Sequence, residues 1–153
     1  MRQGFGRIVG LTGLLLLTFL FGCSARRNGS LPADSSSLLV GRWRQTSIAT
    51  ANQSANCPAT VPLPGGSTTS CSGNDVIEFN PNGTFTATFS GSSVKGSGTW
   101  RLIGNNLSLT FTAPQNVAGR SQSTTIRFGE GAKTININSK LGETPTTETY
   151  TRQ

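Results

Sequence analysis

From Thr84 to Phe89 apolar and polar residues alternate without error: Phe85, Ala87 and Phe89 fall on one side, Thr84, Thr86 and Thr88 on the other. A two-residue period is that of a strand with one face in a core. Residues 76–79 form a second strand just upstream, and Asn80-Pro81-Asn82-Gly83 between them is a tight turn, so the two make a hairpin. A Gly104-Asn105-Asn106 turn leads into residues 107–111, a second clean alternation. Between these, residues 94–102 follow a turn over 90–93 and form a strand whose Gly96 and Gly98 mark a bulge or bend. The same reading gives strands over 38–48, 123–128, 133–138 and 146–152, with a looser loop over 113–122 and turns at 129–132 and 142–145. In the first of these, parity sets Trp43, Gln45 and Ser47 on one face and Arg42, Arg44 and Thr46 on the other. No stretch carries a 3.6-residue period. An all-β domain of eight antiparallel strands follows. With short loops, eight such strands close into a small up-and-down barrel whose interior is filled or holds one small ligand, and closure removes the exposed edges.

The N-terminal pattern is different. Arg2 and Arg7 precede an uncharged, largely apolar run over 8–21, and Gly22-Cys23 ends it. Basic, then apolar, then small is the order of a secretory signal, and the run is shorter than the roughly 20 residues of a bilayer-spanning helix. Leu20-Phe21-Gly22-Cys23 resembles the lipobox of bacterial lipoproteins. That resemblance implies that residues 1–22 are a removed signal peptide and that Cys23 becomes the lipidated (palmitate-bearing) first residue. It also implies that Ser24 sorts the protein to the outer membrane, placing its domain in the bacterial cell envelope, facing the periplasm. An ordinary signal peptide, or an uncleaved anchor beside an incidental cysteine, is the alternative. Residues 23–37, rich in small polar residues with Gly and Pro, form a flexible tether, leaving 38–153 as the folded domain.

Composition narrows the functions. Charged residues are 12% of the chain and hydrophobic ones 34%, with 19 glycines, a balance that suits short strands and many turns. Loss of Arg2 and Arg7 with the signal lowers the formal charge from +7 to +5. The remaining bases are scattered rather than gathered into a stripe with aromatic residues, which argues against nucleic acid as a partner. Arg26 and Arg27 are either solvated linker charges or contacts for anionic lipid head groups, worth about 1 kcal/mol each. With Cys23 acylated, Cys57 and Cys71 remain to pair in an oxidising compartment. They bracket a Pro-, Gly- and Thr-rich segment with too few apolar side chains to order itself. A disulfide closing about 15 residues contributes roughly 3 kcal/mol. Two free thiols are the alternative, because the spacing is too wide for the C-x-x-C metal and redox motifs. The sequence has no histidine, so a zinc site is not expected.

Gly41-Arg42-Trp43 resembles the Gly-x-Trp signature that opens the first strand of lipocalins and related small barrels. The phrases Phe79-Asn80-Pro81-Asn82-Gly83-Thr84-Phe85, Gly98-Thr99-Trp100 and Leu107-Ser108-Leu109-Thr110 resemble the texture of bacterial lipocalin-like domains. The resemblance implies a short lipocalin-like (calycin-type) barrel in which Trp43 closes one end. It also implies that an arginine near the end of the barrel packs over that tryptophan. Arg152 is the candidate, in a contact of about 0.5–2 kcal/mol, with a frayed terminus as the alternative.

Catalytic chemistry finds no members. Glu78, between Ile77 and Phe79, faces away from the interior, so no paired-carboxylate site is evident. The serines lack a histidine or a suitably placed lysine, and Gly65-Gly66 and Gly96-Ser97-Gly98 lack the strand-to-helix setting of a phosphate loop. What remains is the barrel interior, where Trp43, Phe85, Phe89, Trp100, Phe111 and Tyr150 either pack as core or line a cavity. Gln45 and Ser47, on the face of Trp43, tilt the reading towards a cavity with polar contacts. The expectation is a lipid-anchored, non-enzymatic, lipocalin-like protein without cofactor or metal, binding a small, partly apolar ligand in its barrel. The alternative is a structural or protein-interaction module with a solid core, contacting partners through its outer face or the Cys57–Cys71 loop.

Overall fold

Alternation becomes inside and outside in β6 (Thr84–Thr88), where Phe85 and Ala87 are buried and Thr86 and Thr88 exposed. The computed structural model describes residues 35–89, 95–141 and 143–153. The expected signal peptide, Cys23, Arg26, Arg27, the expected tether up to residue 34, the expected turn over 90–93 with Val94, and Gly142 lie outside the described residues. The turn at 80–83 joins β6 to β5 (Val76–Phe79), in register from Val76 opposite Thr88 to Phe79 opposite Phe85. From β6 the sheet continues through β7 (Lys95–Ile103), β8 (Asn106–Ala113), β9 (Ser121–Phe128), β10 (Thr134–Leu141) and β11 (Thr144–Arg152). The first strand, β1 (Gly41–Thr50), pairs with β5 on one side and β11 on the other, which closes an eight-stranded antiparallel barrel.

Two departures from simple alternation shape it. The register of β1 against β11 shifts between Gln45 and Ser47, leaving Thr46 as the extra residue of a bulge. Beyond the bulge the parity reverses. Ser47 stands opposite Thr149, off the inward face, while Ile48, opposite Glu148, is buried. The second shift lies between Ser97 and Gly98 on β7, where the Gly-rich strand was expected to bend. A Cβ on Gly98 would run into the Thr110 carbonyl and come within 2.9 Å of the Phe85 ring, so only glycine lets β7 and β8 approach there.

The first strand starts later than its hydrophobic pattern suggests. Residues 36–39 form one helical turn, α1 (Ser36–Leu39), which seats Leu39 in the core instead of extending the strand. The carbonyls at its end are satisfied from the barrel: the Trp43 indole N–H donates to Leu39 at 2.7 Å, and Arg152 Nη1 donates to Val40 at 2.7 Å. The segment between the cysteines also differs from expectation, since it orders into a hairpin of β3 (Ala59–Pro62) and β4 (Thr68–Cys71). Its apolar content is concentrated in Val61, which packs with Ile48 and Cys71 into a small cluster apart from the barrel core. A three-residue strand, β2 (Ser54–Asn56), covers the part of β1 that the short β5 does not reach.

Candidate ligand-binding cavity

One end of the barrel is sealed. Trp43 is fully buried there, and its ring lies 6.4 Å from that of Phe128. The Arg152 guanidinium sits 4.3 Å from the Trp43 ring centroid while its N–H groups donate to the carbonyls of Leu38, Val40 and Ala132. Gly41 makes room for it, because a Cβ there would stand 2.6 Å from Nη1. Trp100 belongs to the same end: half-buried, it meets Phe79 edge to face at 5.6 Å and donates its indole N–H to Asn80 at 3.1 Å.

With both tryptophans at the sealed end, the interior beyond them holds a cavity of about 150 Å³, roughly the size that accepts benzene. Its wall is largely apolar and includes four phenylalanines. Phe85 and Phe111 meet edge to face at 5.4 Å, and Phe89, 36% exposed, stands at the opposite end from Arg152. The polar corner is built from β11, with Gln45 of β1 bonded behind it. Tyr150 lies directly across from Gln45, and Glu148, two residues before Tyr150, shares its inward face. The Tyr150 hydroxyl donates to Glu148 Oε2 at 2.7 Å, and Gln45 Nε2 donates to the same oxygen at 3.3 Å. The Gln45 side-chain oxygen, on a residue only 4% exposed, has no partner among the described residues. Burial pushes the Glu148 carboxyl above its usual range; the Tyr150 hydrogen bond opposes this, and the nearby Asp75 charge adds to it. Burial, then the Glu148 charge, pushes Tyr150 well above the ordinary tyrosine value.

The expected site residues divide accordingly. Phe85, Phe89, Phe111 and Tyr150 line the cavity, and Gln45 stands beside Glu148 at its polar corner. Trp43 and Trp100 are withdrawn into the sealed end, and Ser47 is turned away by the bulge; none of the three lines the cavity. Cys57 and Cys71 form a disulfide with a Cα–Cα distance of 5.4 Å. Glu148 was missed, although it has the parity of Tyr150 and Arg152, as were Ser139 on the adjacent β10 and Thr124 and Gln122 on β9. No group of three or more His, Cys, Asp or Glu among the described residues is placed to hold a metal ion.

A closed eight-stranded barrel, stoppered by a Trp–Arg pair and hollow above it, defines a small up-and-down β-barrel protein. The lipocalin-like domain family matches residues 39–139, and the chain belongs to that family. Among solved structures it is similar to a lipocalin-like protein from Bacteroides uniformis ATCC 8492, at 13% identity and TM-score 0.50, over 76% of this chain and 99% of that one. An uncharacterized protein from Bacteroides eggerthii DSM 20697 is similar at 13% identity and TM-score 0.46, over 75% and 99% of the two chains. No curated protein matches the chain. Glu148, Tyr150 and Arg152 lie beyond the family-matched residues.

Proposed function

We propose that the protein is a lipid-anchored, non-enzymatic binding module of the bacterial envelope. Cys23 tethers it to the outer membrane, and the barrel, facing the periplasm, takes up a small, partly apolar ligand. The observation that carries this reading is the largely apolar cavity of about 150 Å³ with a few polar groups, Glu148 among them, in its wall. Protein interiors are packed so that voids much larger than a water molecule are few, and apolar concavities with a small number of placed polar groups are the usual form of a ligand site. The apolar run ending at Gly22-Cys23 supports the anchor.

Native mass spectrometry of protein released gently from membranes tests the ligand: a retained small molecule is expected. An empty barrel that also takes up no small aromatic probe would favour the solid-core interaction module instead. For the anchor, radiolabelled palmitate should enter the wild-type protein, and Cys23→Ser should lose the label and leave the membrane fraction. Label retained by that variant would refute lipidation at Cys23.

A further inference from the structure

We infer that the ligand of the barrel carries a protonated amine, which pairs with the Glu148 carboxylate while its apolar part lies against Phe85, Phe89 and Phe111. This rests on the cavity being a ligand site, and it adds the chemical class. The polar corner is rich in acceptors and short of donors. The two donors that reach Glu148, the Tyr150 hydroxyl and Gln45 Nε2, both go to Oε2. The Gln45 amide oxygen, on a side chain more than nine-tenths buried, has no donor among the described residues. A buried acceptor without a donor is costly, and a buried carboxylate without a cation more so.

Among the described residues no arginine or lysine supplies that cation. Arg152, on the same strand, turns to the carbonyls of the sealed end, and Arg44 turns to Gly73 and Asn74. The neighbours of Glu148 across the sheet are Ile48 and Ile137, both uncharged. The titratable groups that bear on it are Tyr150 and Asp75, and Asp75 adds negative charge. An ammonium group would give Glu148 its missing counter-ion, and aromatic rings within reach favour a cation over a neutral head. A carboxylate ligand would meet like charge, and a purely apolar one would leave the acceptors unpaired.

The probes are benzylamine, benzyl alcohol and toluene, which share a ring and differ in head group. They are titrated calorimetrically into the detergent-solubilised full chain near neutral pH. Benzylamine is expected to bind at least tenfold more tightly than the other two. In Glu148→Gln the tenfold gap should close while toluene binding persists. Ala87→Leu, which fills the cavity, should abolish binding of all three. Equal affinities in the wild type, or benzylamine binding that survives Ala87→Leu, would overturn the amine assignment. If toluene still bound the wild type and not Ala87→Leu, the cavity would stand as a ligand site without it. If no probe bound, the amine assignment and the site itself would fall together.

Discussion

Arg152 does at one position what a closing loop would do elsewhere. Its guanidinium covers Trp43 and satisfies carbonyls from α1 and from the turn before β10, joining three segments distant in sequence. Hydrogen bonds from a charged donor are worth about 1.5–3 kcal/mol each, less where solvent competes. Arg152→Ala should therefore cost about 2–3 kcal/mol in urea denaturation, and Arg152→Lys, without the planar fork, should recover only part of it. Glu148 gives the residue scale its pH dependence. Its folded pKa is raised above 4.5, so the folded state keeps a proton that the unfolded chain has released. That contribution to stability is fully present below the unfolded value and is lost as pH rises through the folded one. Glu148→Gln should raise the melting temperature at neutral pH, and the advantage should fade as the pH approaches 4.5. Melting curves of both proteins across that range check it. The position was legible in part, since Glu148 has the parity of Tyr150, read as facing the interior, and of Arg152, read as packing over Trp43. A lone glutamate among threonines reads as surface, because nothing local reports that Gln45 waits across the sheet.

At the scale of elements, the hairpin of β3 and β4 shows what a covalent link adds. It shares a small apolar cluster with β1, separate from the barrel core, and the disulfide joins its two ends across a sequence separation of 14. Replacing Cys57 and Cys71 by serine should lower stability by roughly 3 kcal/mol, from the freedom returned to the unfolded loop. The far-UV circular dichroism of the barrel should persist. Strands with strict alternation, such as β6 and the start of β8, were readable because each side chain announces its face. The bulge at Thr46 was not, since one extra residue reverses parity without a local signal. That reversal is why Ser47 points away from the face of Trp43 and Ile48 replaces it. Leu38-Leu39 read as the start of a strand, and only the carbonyl acceptors offered to Trp43 and Arg152 explain the helical turn in their place.

For the whole molecule, closure depends on the last strand. β11 pairs with β10 along its length and with β1 from Trp43 to Thr50, so it alone joins the two ends of the sheet. Deleting residues 150–153 would remove Tyr150 and Arg152 and unpair Trp43, Arg44 and Gln45 of the first strand, opening the seam at its sealed end. The truncated protein should elute as aggregate in size-exclusion chromatography, since unpaired strand edges recruit one another. An eight-strand barrel was evident from strand count and short turns, whereas packed core and cavity both stayed open for its interior. Whether inward aromatics fill a barrel depends on where along its axis they sit, and Trp43 and Trp100 both lie at the sealed end.

The polypeptide enters the barrel at that sealed end, through α1 beside Arg152, and Phe89 marks the far end. If Cys23 is the anchor, as proposed, the stopper is the end of the barrel nearer to it along the chain, and the Phe89 end is the one free to face away from the lipid surface. Cargo would arrive from the surrounding fluid instead of sliding in sideways from the bilayer, and losing the acyl anchor should leave its uptake unaltered.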